Sequence, residues 1–288
     1  MDASLIENQV DVSNLDKYAA IIGEAPSNGA RSPKLWNAVF NNSGLNYSMI
    51  PLDVSRHKIT DLLNNLSQDK DFIGGAIAIP YKEVVADWLG ENISNEAEKI
   101  GAVNCLYRDV NGILRGTNTD GEASLITFSK QFGTLKSKSI MILGSGGAGK
   151  AVAAYFSTQS RSTVIASRSK KGKRYADKIG VDWVYWNQID DIISTIDIVI
   201  NCTSVGFGDQ EAQTPLSETQ IKTLKNKAIV FDIIYQPLKT QLLAIADEIG
   251  LCTLNGLEMN LEQAVLAYQY AVKSNNNLDQ IREIMLKA

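Results

Sequence analysis

From about Tyr18 to the C-terminus, short apolar runs alternate with amphipathic stretches, the rhythm of strand followed by helix. In the first third, Ala19–Gly23, Tyr47–Leu52 and Ile73–Ile79 read as strands, and helices are predicted to begin after Pro33, after Lys58 and after Lys82. Val103–Tyr107 and Ile113–Gly116 read as paired extended segments, because Asn111-Gly112 between them is a tight-turn dipeptide. From Ser137 the pattern becomes a series of βα units, with strands predicted at Ile140–Leu143, Thr163–Ser167, Trp183–Trp186, Ile196–Asn201, Ala228–Phe231 and Leu251–Leu254. The segment Leu257–Val272 then places Leu257, Leu261, Ala264, Val265 and Ala271 at helical spacing, and a second helix follows from Leu278. Such a tail must bury its apolar stripe, and the first domain is the candidate surface.

No repeat and no low-complexity tract interrupts the pattern, and no Pro- or Ser-rich linker marks a boundary. The junction is placed at the helix after Asp120. The expected fold is therefore α/β with two domains: a small α/β domain over residues 1–120, completed by C-terminal helices in 257–288, and a domain over 121–256 with a doubly wound parallel sheet.

Composition narrows the functional classes. Across 288 residues, hydrophobic positions make up 44% and charged ones 21%, which excludes wholesale disorder. The 28 basic against 32 acidic residues give a net charge of −4, so no broad nucleic-acid face is expected, although a local basic cluster could serve a single phosphate. Cys105, Cys202 and Cys252 are widely spaced and none lies near His57, which points to a reduced, cytoplasmic protein without structural zinc. The first twenty residues lack a basic segment followed by an apolar run, and no stretch approaches ~18 uninterrupted apolar residues, so neither export nor a membrane partner is expected.

The densest chemistry lies in Ile140-Met141-Ile142-Leu143-Gly144-Ser145-Gly146-Gly147-Ala148-Gly149, a hydrophobic strand running into G-x-G-x-x-G and then a helix read as Lys150–Phe156. In this context the first glycine permits a tight turn, the second lets the backbone approach a pyrophosphate, and the third lets helix and strand pack closely. This marks a Rossmann domain. At the end of the next strand, NAD-binding chains usually present an acid to the ribose hydroxyls. This chain instead carries Ala166-Ser167-Arg168-Ser169-Lys170-Lys171, whose hydroxyls and cations suit a 2′-phosphate, so NADP is expected over NAD.

Taken together these residues resemble the shikimate dehydrogenase family along nearly the whole chain, with motifs in the family's order. They are Ser32-Pro33 and Asn37, Pro80-Tyr81-Lys82, Ile100-Gly101-Ala102-Val103-Asn104, Gly116-Thr117-Asn118-Thr119-Asp120, the glycine loop, Asn201-Cys202-Thr203-Ser204-Val205-Gly206, Asp232-Ile233-Ile234-Tyr235-Gln236-Pro237, and Asn255-Gly256-Leu257 with Gln263-Ala264. The resemblance implies an NADP-dependent oxidoreductase that reversibly reduces 3-dehydroshikimate to shikimate without a metal, residues 1–120 with 257–288 holding substrate and 121–256 the cofactor. It implies a small hydroxylated ring acid as partner and a monomer or homodimer as assembly.

By the same resemblance Lys82 and Asp120 match the catalytic pair, Lys82 transferring a proton to or hydrogen-bonding the reacting oxygen while Asp120 orients and shares it. Asn104, Thr119 and Gln263 match positions at or beside those reading substrate hydroxyls, and Tyr235 one near the carboxylate. A buried partner left unpaired costs ~1–3 kcal/mol, so such side chains would reject analogues lacking a hydroxyl. On the cofactor side the matches are Gly144, Ser145, Gly146, Gly147, Ala148 and Gly149, then Ser167, Arg168 and Ser169, with Thr203, Ser204, Val205, Gly256 and Met259 by the nicotinamide.

The departures gather at one end of the implied substrate site. Ala30 stands where the family has the first of two serines, leaving Ser32, while Ala76 and Ala78 replace an Asn and a Thr, and Trp36 stands in place of a His. Two readings stay open. Arg31 holds a carboxylate beside Ser32 in their place, or the alanines and Trp36 shape an apolar pocket for quinate, aminoshikimate or another hydroxylated ring. A non-catalytic NADP-binding sensor is the alternative of another class; retention of Lys82 and Asp120 argues against it. Tyr235 and Lys239 have the spacing of short-chain dehydrogenases, but Pro237 between them opposes the helix that motif needs.

Overall fold

The computed structural model describes residues 2–273 and 276–288. Two units divide the chain, Met1–Thr119 with Leu261–Ala288 and Asp120–Asn260. The boundaries fall one residue earlier and four later than the sequence pattern places them. Asp120 already opens a helix, and Gly256 remains tied to the second unit through its N–H to the Ile234 carbonyl at 2.9 Å.

In the first unit the strand β1 (Lys17–Gly23) is buried on both faces. Tyr18, Ala20 and Ile22 join one apolar cluster and Ala19 and Ile21 another, as a period of two residues requires. Parallel partners flank it, β2 (Tyr47–Asp53) on one side and β3 (Phe72–Ile77) on the other. The antiparallel β4 (Cys105–Arg108) and β5 (Leu114–Thr117) complete a sheet of order β2-β1-β3-β4-β5. One face is covered by α2 (Ile59–Gln68) and α3 (Lys82–Leu89), through Leu62, Leu63, Leu66, Val85 and Leu89. The other is covered by α1 (Ser32–Asn42), by α10 (Leu257–Val272) from Leu261 onward, and by α11 (Leu278–Leu286), where Leu35, Trp36, Phe40, Val265, Tyr268, Ile281 and Met285 interlock. The tail thus packs where its apolar stripe required. Arg282 on α11 donates to both carboxylate oxygens of the buried Glu262 at 2.7 and 2.9 Å, fastening α11 to α10.

Three local details differ from the sequence pattern. The strand predicted to reach Ile79 ends at Ile77; beyond it the Ala78 N–H donates to the Ile22 carbonyl and the Ile79 carbonyl accepts from the Glu24 N–H at 3.4 Å, after which Pro80 has no N–H to offer. The hairpin loop is longer than an Asn-Gly turn. The Asp109 carboxylate accepts from the N–H groups of Asn111 and Ile113, so Asp109–Ile113 closes as a five-residue loop with Gly112 at φ +79°. A short helix that the apolar pattern gave no sign of, α4 (Asn95–Ile100), is capped by the Ser94 hydroxyl, which accepts from the Ala97 N–H at 3.2 Å.

The second unit holds six parallel strands: β6 (Ser139–Leu143), β7 (Ser162–Ser167), β8 (Asp182–Tyr185), β9 (Ile198–Asn201), β10 (Ile229–Asp232) and β11 (Cys252–Leu254). Their order, β11-β10-β9-β6-β7-β8, reverses direction between β6 and β9, the switch point at which such sheets bind ligands beyond the strand ends. The connecting helices are α5 (Asp120–Phe132), α6 (Gly147–Phe156), α7 (Lys170–Ile179), α8 (Glu218–Thr223) and α9 (Gln241–Glu248). Two short 3₁₀ segments, Trp186–Asp191 and Ile193–Thr195, link β8 to β9. Helix α6 begins at Gly147, inside the glycine loop and three residues ahead of the sequence reading. Among the described residues no helix is long and apolar enough to cross a membrane.

Candidate active site

In the first unit, α1 starts at the buried Ser32 with Pro33 in its first turn and Arg31 at the N-cap. Ala30 and Ala78 pack half-buried against the cluster that contains Trp36 and Ala76. Trp36 is fully buried, meeting Phe40 and Tyr268 edge-on, and its Nε1–H makes no hydrogen bond among the described residues. The packing around Trp36 is apolar, with Arg31 and Ser32 at the start of the same helix.

A polar clasp lies nearby in the same unit. Asn104 Oδ1 accepts the Thr119 N–H at 2.7 Å, Asn104 Nδ2 donates to Thr119 Oγ1 at 3.0 Å, and Thr119 Oγ1 donates to the Gln263 carbonyl at 3.2 Å. All three residues are buried, and together they join the root of the β4–β5 hairpin to α10. Lys82 opens α3 beside this clasp, its carbonyl accepting from the Val103 N–H at 2.8 Å, one residue before Asn104. The preceding turn is pinned by the Tyr81 hydroxyl, which donates to the Val54 carbonyl at 2.6 Å in the core. A half-buried lysine on a fixed helix start, next to a set of neutral hydrogen-bonding groups, can hold and protonate a ring oxygen.

In the second unit the glycine loop has the three properties its spacing demands. Gly144 adopts φ +99° and donates to the Ala166 carbonyl at 2.9 Å. Gly146 is the N-cap of α6, and a Cβ added there would meet nothing within 4 Å. A Cβ at Gly149 would lie 2.3 Å from the Gly144 carbonyl oxygen, so α6 and β6 approach as closely as a glycine allows. Open space over the N-terminus of a ten-residue helix fits a dinucleotide pyrophosphate. At the end of β7, Ser167 is buried while Arg168 and Ser169 are exposed, and Ser169 is the N-cap of α7 with its hydroxyl unused in capping.

A second clasp stands at the ends of β9 and β10. Asn201 Oδ1 accepts the N–H of Thr203 at 3.0 Å and its hydroxyl at 2.7 Å, Thr203 Oγ1 accepts from the Val205 N–H at 3.1 Å, and Asn201 Nδ2 donates to Asp232 Oδ1 at 3.1 Å. Asp232 also accepts from the Ile234 N–H at 3.1 Å and from the Thr240 hydroxyl at 2.8 Å. Burial nevertheless pushes the Asp232 carboxyl up to about 6. Desolvation, with Asp232 and Asp120 adding repulsion, pushes the Cys202 thiol well up, which disfavours the thiolate.

The first unit thus brings together Asn104, Thr119 and Gln263, with Lys82 alongside in sequence and backbone pairing, and sets Arg31 and Ser32 at one helix start. Asp120 and Tyr235 belong to the second unit, with Gly144–Gly149, Ser167–Ser169, Thr203–Val205, Gly256 and Met259. Asp120 is buried at the first position of α5, and the Ser124 hydroxyl lies 2.7 Å from its carbonyl and 3.2 Å from Met259 Sδ. A Cβ at Gly256 would lie 1.9 Å from the Ile233 carbonyl, so only glycine fits. No role is legible in the sequence for Asn201, Asp232, Thr240 or Trp183. The first two stand in quoted motifs, but a pairing across 31 residues leaves no local signal. No group of three or more His, Cys, Asp or Glu that could hold a metal occurs among the described residues.

Two family models match the chain in tandem. "Shikimate dehydrogenase substrate binding domain" covers residues 21–106 and "Shikimate / quinate 5-dehydrogenase" covers 127–235. A shikimate dehydrogenase (NADP(+)) of Thermosynechococcus vestitus is 31% identical over 264 residues, 90% of this chain and 91% of the relative. Among solved structures, shikimate 5-dehydrogenase of Thermus thermophilus in complex with NADP(H) and shikimate aligns with a TM-score of 0.79 at 25% identity, covering 94% of this chain and 99% of that one. Quinate dehydrogenase of Corynebacterium glutamicum in complex with NAD aligns with a TM-score of 0.81 at 27% identity, covering 96% and 100%.

Proposed function

The chain belongs to the shikimate dehydrogenase family, and from that premise we propose that it is an NADP-dependent dehydrogenase that reversibly reduces 3-dehydroshikimate to shikimate. The observation that carries the proposal is the coexistence, in order along one chain, of the Lys82–Asn104–Thr119 elements in one unit and a fitting dinucleotide loop in the other. Residues 1–120 with the C-terminal helices hold substrate, and residues 121–256 hold the cofactor.

NADPH held by the glycine loop of the second unit would supply a hydride to the ring carbonyl carbon. The oxygen then needs a proton, and Lys82 delivers or shares it at that atom, with Asp120 orienting the ammonium. Asn104, Thr119 and Gln263 present neutral hydrogen-bonding groups to the ring hydroxyls, and Arg31, Ser32 and Tyr235 face the acid substituent. Arg168 and Ser169, with no acid in the Ala166–Lys171 stretch, favour a 2′-phosphate and hence NADP.

A second reading is favoured by one observation. Ala30, Ala78 and the buried Trp36 leave the acid end with few hydrogen-bond donors, which suits a related hydroxylated ring that lacks the carboxylate or carries another substituent there. The test of the catalytic assignment is substitution of the pair. Lys82→Ala and Asp120→Asn lower kcat by roughly 10²–10⁴-fold while the Kd for NADP stays within about twofold of wild type. Unchanged kcat in either variant would remove that residue from the mechanism, and a wild-type protein that binds NADP but turns over no hydroxylated ring would be a sensor.

A further inference from the structure

We infer that Trp183 and Ser167 are positioning residues that set cofactor choice, a relay that fixes the turn carrying Arg168 and Ser169. The inference rests on the reading of those two residues as the 2′-phosphate pocket. The Trp183 indole Nε1–H donates to Ser167 Oγ at 2.9 Å, and Ser167 Oγ donates to the Ser169 carbonyl at 3.1 Å. A serine hydroxyl has one proton. With that proton committed to the Ser169 carbonyl, Ser167 can offer a phosphate oxygen only a lone pair, which would repel it. Its part is therefore to hold the turn rather than to touch the phosphate.

The turn is fixed from two sides. The Ser169 carbonyl also accepts the Gly172 N–H at 3.1 Å, so both of its lone-pair directions are used. Helix α7 comes close enough that a Cβ on Gly172 would lie 2.1 Å from Ser167 Oγ and 2.9 Å from Ser145 Oγ. The hydroxyl is therefore confined between β8, which supplies Trp183, and the first turn of α7. The Trp183 ring is itself held edge-on against Tyr185, centroids 4.3 Å apart, on a strand paired in register with β7. Such an arrangement leaves the exposed Arg168 side chain and the uncommitted Ser169 hydroxyl on a backbone with one conformation. Preorganised donors bind a doubly charged phosphate at lower entropic cost than mobile ones, and a cofactor without that phosphate gains nothing from them.

The experiment measures equilibrium binding of NADP, NAD, adenosine 2′,5′-bisphosphate and 5′-AMP to the full chain and its variants. Trp183→Phe removes the N–H together with the ring that carries it while keeping an aromatic ring, and Ser167→Ala removes only the hydroxyl. Each raises the Kd for NADP and for the bisphosphate roughly three- to tenfold, and leaves NAD and 5′-AMP within about twofold. The double variant is no weaker than either single one, because both break the same chain. Gly172→Ala, whose methyl displaces the hydroxyl, behaves alike, and Ser167→Thr keeps the preference. Equal weakening of NADP and NAD would show a merely structural role and overturn the relay. Arg168→Ala separates the premise from the inference. If it abolishes the preference for NADP while Trp183→Phe and Ser167→Ala keep it, the relay alone is wrong; if it changes nothing, the phosphate reading falls and the relay with it.

Discussion

The two units each contain an asparagine–threonine clasp at the end of a sheet, and the clasps differ in charge. In the first unit Asn104, Thr119 and Gln263 are joined by neutral groups only. In the second, Asn201 and Thr203 are joined to Asp232, a carboxyl with no exposed surface that accepts three hydrogen bonds. Both solve one problem, since the loops at strand ends carry backbone N–H groups that need partners once covered. The neutral version does so without dependence on pH. The charged version holds two loops at once, residues 203–205 and 233–240, at the cost of burying a group that ionises near neutrality.

The largest effect separating them is therefore pH dependence. Asp232 is raised to about 6 in the fold, against ~3.9 for an unfolded aspartate, so its folded state prefers the proton. The stability this brings is fully present below about pH 4 and is lost as pH rises through about 6, on the order of 3 kcal/mol across that window. Denaturant unfolding from pH 4 to 7, followed by hydrogen exchange at Thr203–Val205 and at Asn104–Thr119, shows that slope in the second unit and not at the neutral clasp. Asp232→Asn flattens it. A slope that survives Asp232→Asn belongs to some other group.

Next in size is the neutral clasp itself. Asn104→Ala strands the buried Thr119 N–H, which costs about 1–3 kcal/mol, while the Thr119 hydroxyl keeps the Gln263 carbonyl, and the loss is the same at pH 5 and pH 7. If Asn104 reads a substrate hydroxyl as proposed, KM for the ring rises as well, while the Kd for NADP does not change. A loss of stability with KM intact would make the clasp purely structural.

The smallest effect concerns the apolar end near α1. Restoring a hydroxyl by Ala30→Ser lowers KM for shikimate about two- to fivefold if a carboxylate is bound beside Arg31 and Ser32. A higher KM, with better turnover of a ring lacking that acid, would favour the altered-substrate reading.

How much of this was legible in the chain follows the range of the interactions. The apolar run Ala19–Gly23, the six strands of the second unit and the limits of α10 are local patterns of burial, and they read directly. The glycine loop read as well, because each glycine answers a backbone constraint within a few residues, Gly149 against Gly144 being the tightest. Asp109 went unread because its carboxylate, rather than the dipeptide two residues on, closes the hairpin loop. Asn201 with Asp232, and Trp183 with Ser167, were invisible because strand order in the sheet, and no sequence spacing, brings them together. The family motifs supplied Asn104, Thr119 and Gln263 as candidates; that they bond to one another needed coordinates.

The central claim is tested most directly by initial rates of the purified protein with shikimate, and separately quinate, against NADP and NAD, followed by nicotinamide absorbance. The account predicts rapid NADP-dependent oxidation of shikimate, with lower kcat/KM for quinate and for NAD. Tight NADP binding with turnover of neither acid would contradict it.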